Sequence, residues 1–189
     1  MNKTARMKIR KFLIAFILLT SLTTNLHAQT KIKSADEVLK EASAEATKTN
    51  KNIFIIFHAS WCVWCHRMDT AMNDQTIKSF FDNNYVIQHL TVDESKDKKD
   101  LENPGAAALR TKYDGDKQGI PYWLIFDKNG KLLADSRLHD ESGKVTGNSV
   151  GCPTEPGEVE YFINVLKKTS RLSDPQLQLI KARFLKIGH

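Results

Sequence analysis

Cys62 and Cys65 are the residues whose chemistry stands out in this sequence. A thiolate attacks disulfides, and a second thiol one helical turn away can displace what the first has captured. The pair lies in His58-Ala59-Ser60-Trp61-Cys62-Val63-Trp64-Cys65-His66, directly after the apolar run Ile53-Phe54-Ile55-Ile56-Phe57. If a strand ends and a helix begins there, Cys62 falls at the helix N-terminus, where free amides and the helix dipole favour its anion. Cys62 is then the exposed nucleophile and Cys65 the more buried resolving thiol. The reaction this implies is thiol–disulfide exchange, with the electrons held by the two sulfurs and no organic cofactor or metal required.

The same residues admit other uses. Cys62-Val63-Trp64-Cys65-His66 spells the haem-attachment motif of c-type cytochromes, although that reading leaves the preceding apolar strand unexplained. A metal site would draw on Cys62, Cys65, His66 and Cys152, but the second half lacks a compact pair. A purely structural bridge closes too short a loop to constrain the unfolded chain much. Cys152 makes the cysteine count odd: it is either an isolated loop thiol or, near the pair, a third thiol able to trap or relay a disulfide. His66 is expected near the thiols, tuning Cys62 when charged, while His58 is either a packed strand end or a base.

The elements that must position the pair are legible on both sides. Ser34 and Glu37 form a capping box, and Ala35, Val38, Leu39, Ala42 and Ala46 recur at helical spacing, so a helix runs to about residue 48. The run 53–57 suits a central strand covered on both faces. A helix is expected from the pair to about residue 81, bent near Asn73-Asp74, and a strand over 85–92. Residues 94–100 read as a solvated charged loop, and 101–113 as a helix interrupted by Pro104-Gly105. Strand 122–126 turns through Asp127-Lys128-Asn129-Gly130 into an antiparallel partner over 131–136. Residues 140–157 read as one long polar loop. Helices follow, carrying Val159, Phe162, Ile163 and Leu166, then Leu177, Ile180 and Phe184. This order describes a three-layer α/β fold with a mixed sheet.

The first 28 residues have the zones of a cleaved secretory signal: Lys3, Arg6, Lys8, Arg10 and Lys11, then an apolar run over 12–22, then Thr23 to Ala28, which ends in a small residue before Gln29. An uncleaved membrane anchor is the alternative, although the apolar run is short for a spanning helix. The formal charge is +6, but those five cations lie in the leader and none of the 22 acidic residues do. The remainder is close to neutral, which gives no reason to invoke nucleic acid. Residues 29–189 are expected to form one domain, exported to the periplasm or beyond and monomeric.

The residues around the pair resemble the thioredoxin superfamily. Trp61-Cys62-Val63-Trp64-Cys65 is similar to its Trp-Cys-x-x-Cys signature, and Gly119-Ile120-Pro121, followed by a strand and an Asn-Gly turn, is similar to its Ile-Pro segment. Val150-Gly151 resembles the Val-Gly beside its active site. The likeness spans roughly 34–168 and leaves a final helix, 173–186, outside it. It implies that Pro121 is cis and that its loop packs against Cys62 and offers backbone groups to an extended protein substrate. It also implies a membrane thiol carrier as electron source. Trp64 adds apolar surface for a protein partner. Two positions depart from the pattern. The family's buried acid would fall at Ile56, so His58, His66 or water must assist Cys65. Val63-Trp64 is neither Gly-Pro nor Pro-His, which leaves the redox direction unassigned, with a slight lean toward the reducing branch.

Overall fold

A computed structural model describes residues 31–188. The basic and apolar leader, with its expected cleavage point, lies outside the described residues. Helix α1 (Ala35–Thr49) starts at the expected capping box: the Ser34 hydroxyl accepts the Glu37 amide, and the Glu37 carboxylate accepts the Ser34 amide. Strand β1 (Asn52–His58) follows, then α2 (Val63–Met72), α3 (Lys78–Asn84) and β2 (Tyr85–Thr91). A distorted 3₁₀ turn, Lys96–Leu101, leads into α4 (Ala106–Lys112). Strands β3 (Tyr122–Phe126) and β4 (Leu132–Asp135) precede a small hairpin, β5 (Arg137–His139) and β6 (Val145–Ser149). Helices α5 (Pro156–Thr169) and α6 (Asp174–Leu185) close the chain.

The main sheet runs β2-β1-β3-β4, with β1 parallel to β2 and antiparallel to β3. Its inner residues are apolar on both sides because helices cover both sides. Phe54 and Ile56 point with Trp123 and Ile125 into a core closed by Met68 of α2, Phe162 of α5 and Phe184 of α6. The intervening Ile53, Ile55 and Phe57 face the other way, against Ala35, Val38, Ala42 and Ala46 of α1. The period-2 alternation of strand side chains therefore divides β1 between two cores. This is the expected three-layer fold with a mixed sheet.

Two stretches differ from expectation. The helix after the pair does not bend but breaks: the Asp74 carboxylate accepts the Thr76 amide at 3.0 Å and hydroxyl at 2.7 Å, and Arg183 Nε donates to it at 2.8 Å. A side chain that captures local backbone in this way competes with the helix ladder. The polar segment 140–157 is not one loop, since β6 pairs with β5 across a turn in which Asp140 Oδ1 accepts the Ser142 and Lys144 amides. Val145 is exposed, so no buried face marks the strand in the sequence. The final helix is part of the main core, with Leu177, Ile180 and Phe184 buried and the Phe162 and Phe184 rings 5.0 Å apart. Among the described residues no helix is long and apolar enough to cross a membrane.

Candidate active site: a cysteine pair at a helix start

The last residue of β1 is His58, and four residues later the chain enters α2 with Cys62 as its N-cap. The Cys62 amide donates to the Ala59 carbonyl at 3.0 Å, which closes a tight turn. The Cys65 backbone amide then donates to Cys62 Sγ at 3.1 Å. A sulfur in the place normally taken by a Ser or Asp oxygen thus satisfies one of the free amides of the helix start. No acidic side chain stands in the first turn to oppose negative charge there. Cys62 and Cys65 are joined as a disulfide, with their Cα atoms 5.3 Å apart.

The exposed-nucleophile expectation needs correction. Cys62 is only 3% exposed, against 1% for Cys65, and both pack with Ala59 and Ile120. The exposed surface belongs instead to Trp61, Val63 and Trp64, at 55%, 60% and 45%. These three are the immediate sequence neighbours of the two cysteines, and the Arg67 guanidinium lies 4.6 Å from the Trp64 ring centroid.

Opposite the pair, the Ile120–Pro121 peptide bond is cis, and the Ile120 carbonyl oxygen lies 3.5 Å from Cys62 Sγ. A groove of about 250 Å³ opens between Trp64 and this loop, floored by Val150, Gly151 and Cys152. Gly151 has φ +53°, and a Cβ there would come 3.4 Å from the Pro121 carbonyl oxygen. The buried Trp123 indole donates to the Gly151 carbonyl at 2.9 Å, tying this wall to the sheet. Cys152 is a free thiol, buried in the groove wall, and burial pushes its pKa up to about 12. It lies in the loop between β6 and α5 and is bonded to neither Cys62 nor Cys65.

The loop before Cys62 is held by residues that sequence reasoning passed over. The Ser60 amide and hydroxyl donate to the Glu94 carboxylate at 2.5 Å and 2.8 Å, and Trp61 Nε1 donates to the Asp93 carbonyl at 2.8 Å. Arg110 grips the Asp93 carboxylate with both terminal nitrogens, at 2.6 Å and 3.1 Å. Far from the wet surface expected of it, Glu94 is only 4% exposed, and the Ser60 amide holds its carboxyl below the usual glutamate range. No sequence signal marks these contacts: they follow from the register, in which β1 and β2 run parallel with His58 opposite Thr91, so the residues that leave one strand lie beside those that leave the other.

His66 stands on the first turn of α2, with Nε2 2.9 Å from the Ser60 carbonyl oxygen. That nitrogen is engaged by the loop that precedes the pair. Cys152 does not join Cys62, Cys65 and His66 as a ligand set: among the described residues no cluster of three or more His, Cys, Asp or Glu is placed to hold a metal ion. His58 is half-buried, and burial lowers its pKa from the ordinary histidine value.

Residues 35–128 match the model of a family described as thioredoxin-like, and the chain belongs to that family. The match includes the cysteine pair and Pro121 and stops before β4. Among solved structures, the chain is similar to the disulphide isomerase from Xylella fastidiosa Temecula1, at 21% identity and TM-score 0.47, covering 89% of this chain and 98% of that one. It is also similar to a DsbH oxidoreductase, at 21% identity and TM-score 0.42, covering 72% and 83%. A third is the oxidised C-terminal domain of DsbD from Neisseria meningitidis, at 21% identity and TM-score 0.39, covering 55% and 84%. No curated protein matches the chain.

Proposed function

We propose that this chain is an exported thiol–disulfide oxidoreductase that reduces or exchanges disulfides in protein substrates through Cys62 and Cys65. The observation that carries the reading is Cys62 Sγ in the cap of α2, accepting the Cys65 amide at 3.1 Å within a bridge that spans one turn. Reduced, Cys62 is an anion stabilised by that amide and by the helix start, and it attacks a substrate disulfide. Cys65 then displaces the substrate thiol and restores the bridge. The groove between the exposed Trp64 ring and Pro121 suits an extended polypeptide beside the sulfurs. The protein works without an organic cofactor or metal, in the periplasm or outside the cell, and as a monomer. The basic and apolar leader supports that location. Working as a reductant there, it takes electrons from a membrane thiol carrier.

The test is insulin reduction by dithiothreitol with and without the mature chain. Catalysed precipitation that disappears in Cys62→Ser supports the reading; a rate equal to background, together with no acceleration of refolding of a scrambled disulfide protein, overturns it. Equilibration of the pair against a glutathione series then gives the direction, with a potential well below that of glutathione marking a reductant.

A further inference from the structure

Closing the disulfide requires Cys65 to lose its proton before its sulfur can attack, because the thiolate is the nucleophile. On β1, Ile56 carries no titratable proton. The side chain two residues further along the same face does: the strand sends Phe54, Ile56 and His58 to the side covered by α2.

His58 is the first member of a row. Its Nε2 lies 3.3 Å from the Thr91 hydroxyl, its partner in the β1–β2 register. Its ring meets the ring of His89 edge-on at 5.0 Å between centroids, and His89 stands opposite Ile56 in the same register. His89 Nε2 lies 2.8 Å from Asp69 Oδ1, and since a carboxylate oxygen only accepts, this nitrogen carries the hydrogen. Asp69 is one turn after Cys65 on α2, a spacing that sets side chains on one face with Cβ atoms about 5–6 Å apart. The row therefore starts one residue before Ala59, which clusters with both cysteines, and ends one turn beyond Cys65. The charged and titratable groups facing His58 are His89 from β2, Asp69 and His66 from α2, and Glu94 from the loop after β2.

The geometry points to His58, backed by His89 and Asp69, as the group that takes the Cys65 proton when the disulfide closes. The inference rests on the oxidoreductase reading above and adds to it the identity of the base. Burial, the largest influence on His58, leaves the imidazole neutral and able to accept at neutral pH. In the mixed disulfide the Cys65 proton passes to the His58 ring, and the Cys65 thiolate attacks Cys62 Sγ. The Cys62–Cys65 bond forms as the bond from Cys62 to the substrate sulfur breaks. The substrate leaves as a thiolate, which takes a proton from water, and His58 returns its proton to solvent. Two electrons pass from the pair to the substrate disulfide.

Reduced protein mixed with the aromatic disulfide dithiobisnitrobenzoate separates the two steps in a stopped-flow instrument, since each releases one equivalent of coloured thiolate. The first release reports attack by Cys62 and the second reports closure by Cys65. In His58→Gln the second release slows about tenfold or more at pH 7 and its rise with pH moves upward, while the first stays within about twofold. Asp69→Asn, at a partly exposed helix position, shifts the second release the same way by a smaller factor. The comparison is made on whichever variant keeps the wild-type circular dichroism and melting profile. An unchanged second release, or an equal slowing of both, overturns the role of His58. Absence of both releases in the wild-type chain would instead defeat the oxidoreductase reading itself.

Discussion

Ser60 and Glu94, 34 residues apart in the chain, meet through two hydrogen bonds in which both the amide and the hydroxyl of Ser60 donate to one carboxylate. The turn that delivers Cys62 to the helix start is thereby anchored to the loop after β2. Because the Ser60 amide lowers the Glu94 pKa in the folded state, its contribution to stability is present above the ordinary glutamate range and lost as pH falls through the lowered value. Glu94→Gln is therefore expected to melt below the wild type at pH 7, with the gap closing below about pH 4. Thermal melts of both proteins across that range check this; a gap independent of pH contradicts it.

Cys65→Ser leaves Cys62 able to attack but unable to be released, so a covalent adduct with a protein disulfide accumulates. Cys62→Ser, by contrast, should form no adduct through Cys65, which lies inside α2, one turn beyond the cap position whose free amide favours the Cys62 anion. Non-reducing gels after incubation with oxidised insulin distinguish the two, and adducts of equal yield would show that the assigned order of attack is wrong.

Gly151→Ala places a Cβ on a backbone with φ +53°, at 3.4 Å from the Pro121 carbonyl oxygen. The left-handed conformation costs an L-residue about 1–2 kcal/mol, which lowers Tm by several degrees. Gly119→Ala, where a Cβ meets nothing within 4 Å, serves as the control. Equal melting of the two variants would remove the strain argument.

Cys152 should be inert in the folded protein. With its pKa pushed up to about 12 by burial, its alkylation by iodoacetamide at pH 8 is expected to be at least about a hundredfold slower than that of an unhindered thiol. Mass mapping of the labelled protein, before and after urea, reads this directly. Rapid native labelling would mean that the groove wall opens.

Much of this molecule is legible in its residues, and the parts that are not share a cause. Strand β1 stands out because five consecutive apolar residues, all buried, suit little besides a strand covered on both faces, and α1 because Ser34 and Glu37 cap it through local contacts. The cysteine pair announces itself by spacing. Contacts between residues distant in sequence leave no such trace: Glu94 sits among lysines and aspartates and looks solvated until the parallel register of β1 and β2 places it beside Ser60. The β5–β6 hairpin escapes notice because it buries no alternating face. The burial of Cys62 does so because Ile120, far along the chain, supplies the cover.

The groove owes its shape to bonds made behind it. Ser149 donates its amide to Gln118 Oε1 at 2.8 Å and its hydroxyl lies 2.8 Å from that of Ser136, the Val150 amide reaches the Ser136 carbonyl at 2.9 Å, and the Trp123 indole holds Gly151. The floor of the groove and the segment leading to Pro121 are thus tied to one another and to the central sheet. For the proposed protein substrate this wall is already ordered, so the incoming chain bears most of the ordering entropy itself.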